Sequence, residues 1–210
     1  THYYYRVVTG EDISDIAHFM TPPTADSEAP IRLVAMSDMQ RDSGNPDVYR
    51  SLINDGVIAF LEDTVSDDLA EALNLVLIAG DLVDNGLVFD EWANDFFGPS
   101  ENLMGSVPFF PVLGNHENNS PYYFEYFHLP ENGDPLFEEH WWSTRYSNIV
   151  ILGLNSNALF RLPDQLAWLD DALDTACGDD TVDFVFAQLH HPYHSELWVD
   201  GNTDYTGDVI

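Results

Sequence analysis

Four short apolar runs in this 210-residue chain each end in side chains that bind cations or move protons. Asp38 and Gln40 follow residues 31–36, Asp81 and Asp84 follow 73–79, Asn115 and His116 follow 107–113, and His190, His191 and His194 follow 182–189. Carboxylate and amide oxygens mixed with imidazole nitrogen suit Mn, Fe or Zn better than Ca or Mg, without choosing among the three. The residue types leave one ion or two open. Asp81 is the central member, where a carboxylate shared by two ions about 3.5–4 Å apart would sit. Such a pair lowers the pKa of a bound water, supplies hydroxide near neutral pH and neutralises phosphoryl oxygens during in-line displacement. His116, directly after Asn115, is placed to hydrogen-bond a substrate and protonate its leaving oxygen as general acid. Singly, each residue is ambiguous: Asp81 would equally cap a helix starting near Gly86. Their joint occurrence at successive strand ends carries the metal reading.

Those ends need elements to position them. Residues 73–79 are almost wholly apolar, long enough for a strand buried on both faces and too short for a typical helix. The C-terminal edge of an open α/β sheet is where ligands bind, which gives a carboxylate there a reason to be functional. Residues 31–36 read as an equivalent strand. Between them Asn45-Pro46 opens a helix with Val48, Leu52, Ile53, Val57, Phe60 and Leu61 on one stripe. A crossover of this kind sets Asp38 and Asp81 side by side in a parallel sheet. A further helix is expected over 86–97, closed by Gly98-Pro99. The strand over 107–113 has an irregular, proline-containing start. The aromatic-rich excursion 118–142 reads as two short helices able to wall a site. A hairpin over 144–154 turns at Ser147-Asn148. A helix from Pro163 puts Leu166, Trp168, Leu169 and Leu173 in the core, and Cys177, before Gly178 at its end, reads as a buried structural thiol. The alternation makes the class α/β.

Residues 1–21 are two β-rich segments joined around Thr9-Gly10-Glu11-Asp12, and the Pro- and Ser-containing 22–30 is a linker to a domain over 31–210. The 37 acidic residues against 6 basic ones give a formal net charge of −31. That charge excludes binding to nucleic-acid backbones or anionic membrane surfaces, favours cations, and suits a high-salt environment. A phosphate substrate would need strong local positive charge such as bound metal. One cysteine excludes a disulfide framework, and no run is long enough for a membrane helix.

The ordered set Ser37-Asp38-Met39-Gln40, Gly80-Asp81-Leu82-Val83-Asp84-Asn85, Gly114-Asn115-His116-Glu117 and His190-His191-Pro192 resembles the calcineurin-like metallophosphoesterases, with most similarity to their purple-acid-phosphatase-like branch. The resemblance covers about 31–195 and implies a β-sandwich flanked by helices. Residues 1–21 resemble the last strands of the fibronectin-III-like β domain that precedes it. It implies two divalent or trivalent transition ions (Fe, Mn or Zn), with Asp38 on the first, Asp81 bridging, Asn115 and His190 on the second, and His116 as the catalytic histidine. Gln40 stands where the superfamily often has His and would be a weak metal ligand. Asp84 replaces the tyrosine that colours purple acid phosphatases. Asp84, Asn85, Glu117, His191 and His194 are left to contact substrate or orient the ligands. The family's final Gly-His-x-His motif does not occur before Ile210, so the chain reads as a piece of a secreted, periplasmic or surface phosphoesterase. The implied reaction is hydrolysis of phosphomono- or diesters by a metal-bridging hydroxide. The alternative is a non-catalytic surface or scaffold module that retains the fold with an incomplete metal site.

Overall fold

Tyr-, Val- and Phe-rich segments prefer pleated, half-buried surfaces, and the N-terminal residues adopt one. In the computed structural model, which describes residues 1–41, 43–194 and 204–210, strands β1 (His2–Tyr5), β2 (Val8–Thr9), β3 (Asp12–Ile13) and β4 (Ala17–Met20) form a hairpin. β1 runs antiparallel to β4, and β2 to β3. A lone hairpin is marginal in water, and this one leans on the rest of the chain. Tyr5 Oη donates to Gly105 O at 2.8 Å, and Tyr5, Phe19 and Met20 share an apolar hollow with Met104, Pro108 and Phe110.

Strands β5 (Leu33–Met36), β6 (Leu75–Ile78) and β7 (Phe109–Pro111) form a parallel sheet in the order β5-β6-β7. β6 carries no polar side chain and is buried along its length, so only the central position satisfies it. Leu33 pairs with Leu75 and Met36 with Ile78, which puts the residues after each strand on one edge.

The β5–β6 crossover is helical but not uniformly so. It consists of α1 (Val48–Ser51), a π-helical stretch (Leu52–Ile58), α2 (Ala59–Thr64) and α3 (Leu69–Ala72). The buried positions are Tyr49, Ile53, Ile58 and Leu61, stepping by five residues across the π stretch. That extra residue rotates the stripe expected from a 3.6 period, and Val48, Leu52 and Phe60 face solvent instead. Asn45-Pro46 forms the turn before α1 and does not start it.

The helix between β6 and β7 also departs from expectation. It begins at α4 (Phe89–Glu91), widens into a π stretch (Trp92–Phe97) and continues through Gly98-Pro99 as α5 (Gly98–Met104). The wide turn accommodates the proline, which would otherwise clash with a carbonyl one turn back. Gly98 is needed there because a Cβ would lie 2.8 Å from Ala93 O.

Only one short helix, α6 (Pro121–Tyr126), forms in the 118–142 excursion; the second expected one is a set of turns. Phe127 turns inward onto Trp92 and Phe96, with the buried Tyr123 against it, so these aromatics fill the core. The second sheet has the order β10-β9-β8: β8 (Trp142–Tyr146) antiparallel to β9 (Ile149–Gly153), and β9 parallel to β10 (Phe184–Gln188). Trp142, Ile149 and Ile151 join Leu75 and Ile78 in one core, the sandwich between the sheets.

Helix α7 (Pro163–Cys177) packs on the outer face of the second sheet through Leu169 and its neighbours. Cys177 is exposed, not buried, because the buried position of that last turn is Ala176. After His194 the sequence suggests only a polar tail. Residues 195–203 lie outside the described residues, and a short helix α8 (Asp204–Val209) follows, burying Tyr205 and Thr206.

Gly→Ala in a helix ordinarily stabilises by up to about 1 kcal/mol. At position 98 the sign should reverse: Gly98→Ala is expected to destabilise by about 1–3 kcal/mol, read from the urea midpoint, because the methyl meets a backbone carbonyl.

Candidate metal centre

Three loops converge at the C-terminal edge of the first sheet, and their closeness is set by glycine. Gly80 has φ 85°, and a Cβ on it would lie 2.6 Å from Gly114 N; one on Gly114 would lie 2.2 Å from Asp81 Oδ1. Asp38 and Asp81 are both left-handed, at φ 58° and 56°, an unusual state for a non-glycine residue that concentrates at functional sites. The two turns are joined: Asp38 N–H donates to Gly80 O (3.2 Å) and Met39 N–H to Asp81 O (2.9 Å).

Glu117 fixes the β6 and β7 loops from beneath. It is fully buried and accepts backbone N–H groups from Asp81 (2.9 Å), Leu82 (2.7 Å) and Gly114 (2.6 Å). Burial first, and the charge of Asp81 second, push its carboxyl up to about 7 against the pull of those donors. It contributes to the site by holding backbone.

Asp81 is buried, with polar partners on both oxygens. Oδ1 accepts from His116 N–H (3.0 Å) and Oδ2 from Gln40 Nε2 (3.0 Å). Burial alone would raise its pKa, but the His190 hydrogen bond, the His116 amide and the charges of both histidines bring it below the ordinary carboxylate value.

His190 supplies the observation that most favours a cation. Its Nδ1–H donates to Ala79 O at 2.8 Å, which fixes the ring and turns Nε2 toward the other candidate ligands. Nε2 faces Asn115 Oδ1 at 3.1 Å and Asp81 Oδ2 at 3.3 Å. Three electron-rich atoms converge where only a proton or a metal ion between them relieves the repulsion. Donor atoms of Asp38, Asp81 and His190 all lie within 4.8 Å of one another, and the mixed oxygen and imidazole set fits a transition ion.

A model of the calcineurin-like phosphoesterase family matches residues 31–209. The chain belongs to that family. Among solved structures, the purple acid phosphatase PPD1 from yellow lupin (Lupinus luteus) seeds has the same fold, with a TM-score of 0.64 at 18% identity over 87% of this chain. The chain spans about a third of that phosphatase, 34% of its length. No curated protein gives a significant match.

In this member of the family the centre opens into a cleft of 620 Å³ lined by Asp38, Gln40, Asp81, Asn115, His116, Asn157, Arg161 and His191. His116 Nδ1 lies 2.6 Å from Asp84 O and 3.5 Å from its Oδ1, leaving Nε2 available to the cleft. Asn85 stands further out, its Oδ1 accepting from Asn118 Nδ2. His194 is exposed, with its ring against Tyr193, and does not line the cleft. His191 is pinned from two sides: Ser156 Oγ lies 2.8 Å from its Nδ1, and Thr206 of α8 donates to its carbonyl.

Asn157 and Arg161 escaped the sequence reading. They follow β9 and flank a 3-10 turn (Ala158–Phe160), outside any strand-end motif. Among the described lining residues Arg161 carries the one fixed positive charge, and its Nε donates to Ser156 O (2.8 Å). In a chain of net charge −31, an arginine beside a carboxylate-lined cleft was the available signal.

Replacing Glu117 by Gln sets an amide N–H against backbone donors and is expected to cost about 2–3 kcal/mol in denaturant titrations. A pH effect should come from His191, whose pKa is held down at about 4, by burial first and then by the positive charges of His190 and Arg161. Because the folded value lies below the ordinary 6.5, the unfolded chain takes up the proton first. The metal-free protein is expected to lose stability as the pH falls from about 6.5 towards 4, and His191→Gln to flatten that part of the profile in urea midpoints.

Proposed function

We propose that this chain carries the main part of a dinuclear metal-dependent centre that hydrolyses phosphomono- or diesters. The observation that supports this best is the convergence of His190 Nε2 with Asn115 Oδ1 and Asp81 Oδ2. Asp38, Asp81, Asn115 and His190 are the residues that would hold the ions, with Asp81 between them. When bound, the ions supply a water that is deprotonated near neutral pH and positive charge for the phosphoryl oxygens.

The chain's own residues do the rest. Gln40 donates to Asp81 Oδ2, so its task in this arrangement is to orient the carboxylate more than to ligate. The Asp84 carbonyl holds the His116 ring by Nδ1, which turns Nε2 into the cleft, where a proton on it can be given to the leaving oxygen. Arg161 is positioned to take a phosphoryl oxygen that the acidic surface would otherwise repel. Asn157, which donates to Gly114 O (3.1 Å), keeps the β7 loop in place.

The N-terminal hairpin is proposed as the last strands of a fibronectin-III-like domain, with residues 22–30 as linker, in a secreted, periplasmic or surface protein. The family match beginning at residue 31 agrees with that boundary.

The test uses the complete polypeptide that carries these residues, metal-stripped and reloaded, with p-nitrophenyl phosphate and its bis ester as substrates. Asp81→Asn should abolish both metal retention and hydrolysis. His116→Gln should keep the metal and lower kcat by about 10²–10⁴-fold. A loaded wild-type protein that holds one ion and hydrolyses neither ester would replace the catalytic reading by that of a scaffold module.

A further inference from the structure

Away from the Asp81 centre, the register of the N-terminal hairpin brings two histidines together. His2 pairs with Met20 and Tyr4 with His18, so His2 and His18 are diagonal neighbours on one face. Their rings lie 5.7 Å apart at 31°. That face packs against α3, whose N-cap is Asp68. His18 Nε2 is 2.9 Å from Asp68 Oδ1, which also accepts Ala70 N–H at 3.0 Å. Glu71, three residues further and on the same side of the helix, brings Oε1 to 3.6 Å from His2 Nε2.

We propose that His2, His18, Asp68 and Glu71 form a second metal site, which takes a first-row divalent cation and fastens the hairpin to the α/β body. Donor atoms of His2, His18 and Asp68 all lie within 4.8 Å of one another, and the three residues are half-buried. Two imidazoles and two carboxylates give the four N and O donors of a tetrahedral zinc-type site. A plain His–Asp ion pair accounts for His18 and leaves His2 unexplained. The His2 ring makes no hydrogen bond among the described residues, and its approach to Glu71 is too long to be one. His18 and Asp68, hydrogen-bonded at 2.9 Å, would part only slightly, to the roughly 3.3 Å between adjacent ligands of a tetrahedral ion. Bonds of about 2.0–2.2 Å also require that the His2 and Glu71 side chains, both at the rim, swing inward. The net charge of −31 raises the local concentration of cations around such a site.

The site is independent of the proposed hydrolytic centre. Asp68 and Glu71 precede β6 and lie towards its N-terminal end, whereas Asp81 follows its C-terminal end. The site also reaches across the 22–30 segment, so it joins two parts of the chain that otherwise meet through Tyr5 and a few apolar side chains.

The test takes the untagged chain, stripped of metal and loaded with Co²⁺ in excess Mg²⁺, which occupies scattered carboxylates. Bound cobalt is counted by elemental analysis, and hairpin amide exchange is followed with and without the ion. His2→Ala, at a strand end, should bind one Co²⁺ fewer than wild type. Asp68→Asn keeps the helix cap and should weaken that equivalent by at least about tenfold, the cost of losing even an outer partner of a metal site. Co²⁺ should slow amide exchange in β1 and β4 of wild type and of Asp81→Asn, but not of His2→Ala. Unchanged cobalt content in His2→Ala and Asp68→Asn, or hairpin exchange indifferent to Co²⁺, would overturn the site.

Discussion

One buried carboxylate, Glu117, holds three backbone N–H groups from two loops, and the site above it depends on that grip. Burying a charge costs several kcal/mol unless the lone pairs are satisfied, and three charge-assisted bonds at 2.6–2.9 Å offset much of the cost. The arrangement works only if the loops come close, which is why Gly80, Gly86 and Gly114 face backbone or Asp81 where a side chain would stand. The same contact keeps Asp81 in its left-handed conformation, with its oxygens turned toward His116, Gln40 and His190. The geometry of the centre is therefore built into the backbone.

Electrostatics then favours a cation at this candidate centre. The Asp81 charge disfavours the ionisation of Glu117, and Asp38 adds a third carboxylate at the rim. His190 partly balances them, its pKa raised by the Asp81 carboxylate despite the opposing effect of burial. An ion of charge two or three would neutralise the set more fully and take the place of the proton on His190. The acidic surface reinforces this, since it attracts cations and repels phosphate esters alike. Among the described lining residues Arg161 is the one whose fixed charge favours an anion.

The strand ends were legible because two signals coincide in them: an apolar run fixes where the strand stops, and ligand-type residues follow at once. Asp38, Asp81, Asn115 and His190 could be placed together on that basis, and the β5-β6-β7 order agrees. Glu117 was legible as a residue and not as a role, since its partners are backbone amides up to 36 positions away. Local periodicity failed where the helices widen. The π stretch shifts the stripe of the first crossover by one residue, and the second carries a helix through Gly98-Pro99, a pair that ordinarily ends one. Cys177 shows the same limit, because one step along α7 separates a buried side chain from an exposed one.

The two candidate cation sites sit towards opposite ends of β6, the most buried strand, and this bears on what a metal count means. Two ions per chain would arise from a dinuclear centre, or equally from one ion at Asp81 and one at His2, His18 and Asp68. The cases differ physically. Ions sharing a carboxylate lie about 3.5–4 Å apart and couple magnetically, whereas ions separated by the length of a strand do not. Loss of His2 leaves a dinuclear centre intact, and loss of Asp81 leaves the hairpin site intact. With a paramagnetic ion such as Mn²⁺ or Co²⁺ loaded, magnetic coupling read beside the metal content therefore tells a carboxylate-sharing pair from two separate ions.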